Sequence, residues 1–248
     1  MKAFLAIAVI TFLSGMPDMQ PAIKVFLAGD STMSIKEIRN YPETGWGMPF
    51  VYFWDSTVEV VNKAKNGRST GTFIKEGLWK SITDNLQEGD YVIIQFGHND
   101  EVPTKKSYTT PDTFRLNLTR FVQEVKQKKG IPVLCTSVSR RKFNDQGMQE
   151  ETHPQYGALV QEVALANNVA FIDADTKTRA LLQEFGPEHS KLLFLQLKPG
   201  EHPNYPEGKM DNTHFNELGA RLVAQLMLQE LVQQFPDLKS RLVKQVKM

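Results

Sequence analysis

The chain has 248 residues, 41% of them apolar and 23% charged, an ordinary globular balance with ample material for a core. Its net charge of +1 argues against a nucleic-acid partner, whose binding would need a basic face. A single cysteine, Cys135, leaves no internal disulfide to form, and its place in the apolar run IPVLCTSV suits an inert buried thiol.

In chain order, Lys2 and the apolar run Ala3 to Leu13, followed by Ser14, Gly15 and Pro17, read as a signal peptide over residues 1–20. The alternative is a buried first strand. The run is shorter than the ~20 residues a membrane-spanning helix needs, so no membrane span is expected in the mature protein. Residues 21–248 show no linker and are expected to form one exported domain, periplasmic or secreted.

Five short β-rich runs come next: Ile23 to Ala28, Val58 to Asn62, Tyr91 to Phe96, Pro132 to Ser137 and Val169 to Asp173. Between and after them lie apolar residues at helical spacing. Phe114, Leu118, Phe121, Val122 and Val125 form one face, and Leu159, Val163 and Ala166 another. Leu222, Leu226, Leu228, Leu231 and Val232 close the chain. Nearly continuous apolar strands alternating with helices predict a five-stranded parallel sheet covered on both faces, a three-layer α/β/α sandwich. Ligands of such sheets sit beyond the carboxyl ends of the strands, where strand order reverses. In the flavodoxin-like order that point lies between the first and third strands.

The residues at those strand ends carry chemistry. Gly29-Asp30-Ser31-Thr32 follows the first strand, Gly67 lies past the second, and Gly97-His98-Asn99-Asp100 follows the third. Asp211-Asn212-Thr213-His214 precedes the last helical stretch. Taken singly, each block has a plain structural alternative: a helix cap at Ser31 or Asp211, a polar turn at His98. As chemistry, a serine hydroxyl is weak until a base takes its proton, and Asp211 and His214 supply a carboxylate and an imidazole three residues apart.

These four blocks, in this order, resemble the signature of the GDSL or SGNH hydrolase superfamily. The resemblance runs on through Glu43 to Gly47 (ETGWG), Asn62 to Thr70 (NKAKNGRST) and Asp211 to Ala220 (DNTHFNELGA). It is strongest to the rhamnogalacturonan acetylesterase branch, which removes acetyl groups from pectic polysaccharide and often departs from a strict GDSL, as Thr32 does here. The resemblance implies Ser31 as nucleophile, His214 as base, Asp211 as its orienting partner, and an oxyanion hole from the N–H groups of Ser31 and Gly67 with the Asn99 amide. Gly67-Arg68-Ser69-Thr70-Gly71 also matches the G-x-S-x-G nucleophile elbow. Lys63 to Arg68 separate Ser69 from its strand, however, so Ser69 is expected to be a bystander.

The expected activity is therefore a serine acetylesterase acting on plant cell-wall polysaccharide, with rhamnogalacturonan the first choice. The alternatives are the same chemistry on another acetylated glycan or a lipid, or a binding domain without turnover. Trp46 could offer a platform to a sugar ring or be a packed loop tryptophan, His98 could shape the site, and Arg140 and Arg141 could hold a uronate carboxylate or form a solvated surface pair. His153 is expected to start a helix. Asn117-Leu118-Thr119 matches a glycosylation sequon but falls mid-helix. No metal-ligand spacing and no phosphate loop is present, so neither a metal nor another cofactor is expected. Oligomeric state is left open.

Overall fold

The computed structural model describes residues 22–244, and the expected signal peptide at residues 1–20 lies outside the described residues. Strands β1 (Ile23–Gly29) and β2 (Val58–Asn62) are followed by two short helices, α1 (Thr70–Lys75) and α2 (Leu78–Thr83). Then β3 (Tyr91–Gln95), α3 (Pro111–Gln127), β4 (Ile131–Cys135), α4 (Pro154–Asn167), β5 (Ala170–Ile172) and α5 (Ala174–His189) alternate. A pair of further strands, β6 (Phe194–Leu197) and β7 (Lys209–Phe215), precedes the last long helix, α6 (Glu217–Gln234).

The five apolar runs are the five strands of a parallel sheet in the order β2-β1-β3-β4-β5. Successive side chains along a strand point to opposite faces, and here both faces are buried. Val25, Leu27, Ile93 and Val133 enter one core with α5, α6 and the aromatic turn at Pro49–Phe53. Phe26, Ala28, Val92, Ile94 and Leu134 enter the other with α1 to α4. Each large apolar side chain buried this way stabilises the fold by about 1.5–3 kcal/mol. Covering both faces leaves the strand ends as the exposed polar rim, and the order reverses between β1 and β3 at the carboxyl end.

Local chemistry sets the helix starts. Thr110 caps α3 by accepting from the Thr113 N–H, with Pro111 at the first helical position, and Asp173 caps α5 by accepting from the Thr176 N–H. α4 corrects one expectation: Ala164 faces the core, while Ala166 is exposed.

The β6–β7 pair was not foreseen. It is antiparallel and separate from the main sheet, with Phe194 opposite Phe215 and Gln196 opposite Met210. Leu195 alone therefore faces Asp211, Asn212, Thr213 and His214, which bulge out of β7. The start of α6 is seated against the segment just before β6. A Cβ at Gly219 would lie 2.0 Å from the Leu193 carbonyl oxygen, so only glycine fits there.

Candidate active site

Ser31 sits in the turn that leaves β1, and the turn is held from below by buried polar groups. Asp30 Oδ1 accepts from the Thr32 N–H at 3.0 Å and from the Thr32 hydroxyl at 2.9 Å. The same hydroxyl accepts from Gln95 Nε2 at 2.8 Å, and Gln95 Oε1 accepts from the Trp46 indole at 3.0 Å. Thr32 thus donates once and accepts once, which a leucine at this position could not do. Burial pushes the Asp30 carboxyl up, against the hydrogen bonds from Thr32. Trp46 is fully buried in this network and presents no face to solvent, which corrects its assignment as a sugar platform.

The Asp211–His214 bulge reaches Ser31 from the other side. His214 Nε2 is 2.9 Å from Ser31 Oγ, and His214 Nδ1 is 2.8 Å from Asp211 Oδ2. An ionised carboxylate only accepts, so the ring proton lies on Nδ1 and the Nε2 lone pair faces the serine hydroxyl. Asp211 Oδ1 accepts from the N–H groups of Thr213 (2.7 Å) and His214 (3.0 Å), which closes the turn and places both side chains on one side. Burial opposes ionisation of Asp211, but the His214 ring and these two N–H groups outweigh it and hold the carboxyl well below the usual range.

Gly67 and Asn99 complete the cleft, which has a volume of about 440 Å³ and in which Ser31, His214, Gly67, Asn99, His98 and Arg140 meet. Gly67 has φ +76°, a left-handed conformation that favours glycine. The N–H groups of Ser31 and Gly67 have no acceptor among the described residues. Asn99 Nδ2 donates to the Arg68 carbonyl at 3.2 Å and its Oδ1 accepts from Lys105 Nζ at 3.3 Å, which fixes the amide with one N–H to spare.

Ser69 lies elsewhere. It is the N-cap of α1, its side chain accepting from the Thr72 N–H, and it has no histidine partner. His98 lines the cleft, with its ring edge-on to His153 at 4.3 Å between centroids. Burial, with the neighbouring His153, holds it well below the ordinary histidine value, so it is a neutral ring. His153 precedes α4, as expected, and its Nδ1 lies 2.9 Å from Glu101, which also accepts from Arg140 at 2.8 Å. Arg140 and Arg141 diverge. Arg140 faces the cleft, whereas Arg141 turns away to Ser190 (3.0 Å) and Asn212 Oδ1 (3.0 Å), with its own N–H on the Asn212 carbonyl at 2.8 Å. Arg141 thereby clamps the bulge. Asn117 lies inside α3 with its amide on Thr70.

Sequence reasoning missed Glu101, Lys105 and the clamping role of Arg141; the partners of Glu101 and Arg141 are distant in the chain, and Lys105, six residues from Asn99, carries no motif. A larger cleft of about 610 Å³, lined by Tyr41, Met48, Val51 and Tyr52 among others, lies apart from these groups. Among the described residues no group of three or more metal-ligating side chains occurs.

Comparison with known proteins shows the family and the fold. Residues 28–222 match the profile of the GDSL-like Lipase/Acylhydrolase family. The rhamnogalacturonan acetylesterase RhgT of Bacillus subtilis is 42% identical over 226 residues, 91% of this chain and 96% of that protein. A rhamnogalacturonan acetylesterase of Emericella nidulans is 28% identical over 84% of each chain. The crystal structure of YxiM from Bacillus subtilis superposes with a TM-score of 0.74 at 25% identity, covering 86% of this chain and 57% of that one. An acetylxylan esterase from Geobacillus stearothermophilus, 21% identical with a TM-score of 0.62, shares the fold. With a profile match across most of its length and its strand ends converging on one cleft, the chain belongs to the GDSL-like lipase/acylhydrolase family and is an ester hydrolase of the SGNH type.

Proposed function

We propose that residues 21–248 form an exported acetylesterase domain that removes O-acetyl groups from rhamnogalacturonan, with Ser31 as nucleophile. The observation that carries the chemistry is the hydrogen-bonded line from Ser31 Oγ through His214 to Asp211, at 2.9 and 2.8 Å. Ser31 Oγ attacks the acetyl carbonyl carbon as its proton passes to His214 Nε2, and Asp211 stabilises the imidazolium. The carbonyl oxygen, now an anion, accepts from the N–H groups of Ser31 and Gly67 and from Asn99 Nδ2. Such donors are worth about 10²–10³ in turnover each. The tetrahedral adduct collapses, the sugar oxygen leaves with the proton from His214, and acetyl stays on Ser31. A water then gives a proton to His214 and attacks the acetyl group, and acetic acid departs as that proton passes to Ser31 Oγ, the acid ionising to acetate in solvent.

Two observations support a pectic substrate. The relatives at 42% and 28% identity are rhamnogalacturonan acetylesterases by name. Arg140 and Lys105 line the cleft, and Lys105 with the exposed Lys106 also lines a neighbouring depression that shares Gly67 and Asn99. Glu43 and Glu76 line the same depressions and Arg140 pairs with Glu101, so the cations free to meet a uronate carboxylate are Lys105 and Lys106, which suit pectin better than a neutral xylan.

Hydrolysis of 4-nitrophenyl acetate by wild type, Ser31→Ala and Ser69→Ala tests the mechanism. Ser31→Ala is expected to lose turnover by several orders of magnitude, while Ser69→Ala loses only cap stability, about 1 kcal/mol. Activity lost in Ser69→Ala alone would overturn the assignment. Acetate release from acetylated rhamnogalacturonan and from acetylated xylan tests the substrate. The first should be faster, and its KM should rise with salt while that for 4-nitrophenyl acetate does not.

A further inference from the structure

Lys36 lies in the loop beyond the Ser31 turn, between Ile35 and Ile38, which are 63% and 79% exposed. Its own side chain has no solvent exposure at all. Its ammonium donates to the carbonyl of Ser31 and to Oδ1 of Asn66 at 2.7 Å, and forms an ion pair with Oε1 of Glu43 at 2.6 Å. Asn66 Oδ1 also accepts from the Ser34 hydroxyl.

Removing two charges from water costs several kcal/mol per ion, and an apolar pair of similar volume often holds a loop as well or better. Packing therefore does not account for this lysine. What an ammonium does that an apolar side chain cannot is join chain segments through their oxygen atoms. The segments joined here carry Ser31 and, one residue beyond Asn66, Gly67. The Gly67 turn is tied on its flanks by the Lys65 N–H on the Gly29 carbonyl at 3.1 Å and by the Asn99 amide on the Arg68 carbonyl at 3.2 Å, and Lys36 adds the bond that ties Asn66, next to Gly67, to the carbonyl of Ser31.

We infer that Lys36 is a positioning residue for the oxyanion hole, fixing the Ser31 N–H relative to the Gly67 N–H and holding a positive charge beside the segments that receive the developing anion. This rests on the roles proposed above for Ser31 and Gly67. Burial pulls the lysine down from its ordinary value, while Glu43, Asp30 and Asp211 act to keep its charge.

The test uses the full chain with 4-nitrophenyl acetate and an alkyl boronic acid, which binds a serine hydrolase as a tetrahedral anion. In Lys36→Met, kcat should fall about 10- to 100-fold, less than the loss of an entire donor, with KM within about twofold. Boronate affinity should fall by the same factor as kcat, because both report the tetrahedral state. A lysine that only stabilised the loop would lower the melting temperature and leave kcat and boronate affinity of the folded protein within about twofold, which would overturn the inference. Lys36→Met with Glu43→Gln removes the stranded carboxylate and carries the same expectations if the single variant does not fold. Asn66→Ala cuts the Lys36 arm to the Gly67 turn together with the Ser34 bond to the same oxygen, and full activity there would also overturn the inference. Ser31→Ala separates the two readings: if it stays active, the nucleophile is wrong, whereas an inactive Ser31→Ala beside a fully active Lys36 variant sinks only the role of Lys36.

Discussion

Ser31 and His214 are 2.9 Å apart, yet the segments that bring them together are built from different materials. Ser31 leaves β1, where Val25, Leu27, Phe26 and Ala28 are buried in the cores on both faces of the sheet. Asn99 leaves β3, which is buried along its whole length. Asp211 and His214 bulge from β7, where Lys209 and Met210 are exposed. Polar fasteners hold that bulge instead. Arg141 and Gln196 bind Asn212 and Asp211, and Asn216 reaches the carbonyls of Leu192 and Phe194 at 2.8 and 3.0 Å. The strands that carry Ser31 and Asn99 are thus positioned by the hydrophobic effect, with hydrogen bonds trimming the turns at their ends, whereas the segment that carries Asp211 and His214 is held by hydrogen bonds throughout. The two regions should therefore fail in different ways.

The largest effect is expected on the sheet side. Asn99→Ala removes a donor but no core contact, so kcat should fall about 10²–10³-fold, or about 2.7–4 kcal/mol, with the melting temperature nearly unchanged. A small kcat effect in the folded variant would remove Asn99 from the oxyanion hole. On the bulge side Asn216→Ala removes the α6 cap and both carbonyl fasteners. A loss of about 1–2 kcal/mol is expected, read by calorimetry as a melting point lower by about 2–8 °C. A modest fall in kcat should accompany it as the His214 side loosens. An unchanged melting temperature would mean that the hairpin is held by something other than these fasteners.

The smallest effect separates the regions by pH. Burial pushes the Asp100 carboxyl, at the foot of the Asn99 turn, up to about 7. Between an unfolded value near 3.9 and that folded value, the native state holds a proton that the unfolded chain has lost. Stability should therefore fall as pH rises from about 4 to 7. Asp211 has the opposite sign. Its folded value lies below the unfolded one, so its contribution is present above about pH 4 and is lost as pH falls below that. Melting curves of wild type and Asp100→Asn at pH 5 and pH 8 test this, and the wild type should lose more stability across the interval. Equal losses would show that Asp100 is ionised throughout.

The same division decides what the sequence could reveal. The five strands were legible because strands buried on both faces must be nearly all apolar, and the carboxyl ends of the first and third led to Ser31 and Asn99, whereas Gly67, past a loop after the second, was singled out only by the family resemblance. β6 and β7 were not, because KMDNTHF is polar, mostly solvent-facing and interrupted by a four-residue bulge, so it carries no two-residue period. Trp46 misled for a related reason. Its surroundings, GWGMP, look like an exposed loop, and only the fold shows Gln95 waiting to accept from its indole. Arg140 and Arg141 are identical as letters, and their opposite orientations follow from partners up to 71 positions away. Lys36 gave no signal, since a lysine among exposed isoleucines looks solvated until its acceptors, Asn66 among them, are brought around it.

The bulge on β7 has a mechanical consequence. Because Asp211 and His214 share one tight turn, closed by the Thr213 and His214 N–H groups on a single carboxylate oxygen, their relative placement is fixed locally, independent of the rest of the hairpin. Any swing of the hairpin changes the distance from imidazole to serine while leaving the imidazole–carboxylate bond intact. The His214–Asp211 bond is thus set within the turn itself, while the His214–Ser31 distance depends on where the hairpin seats.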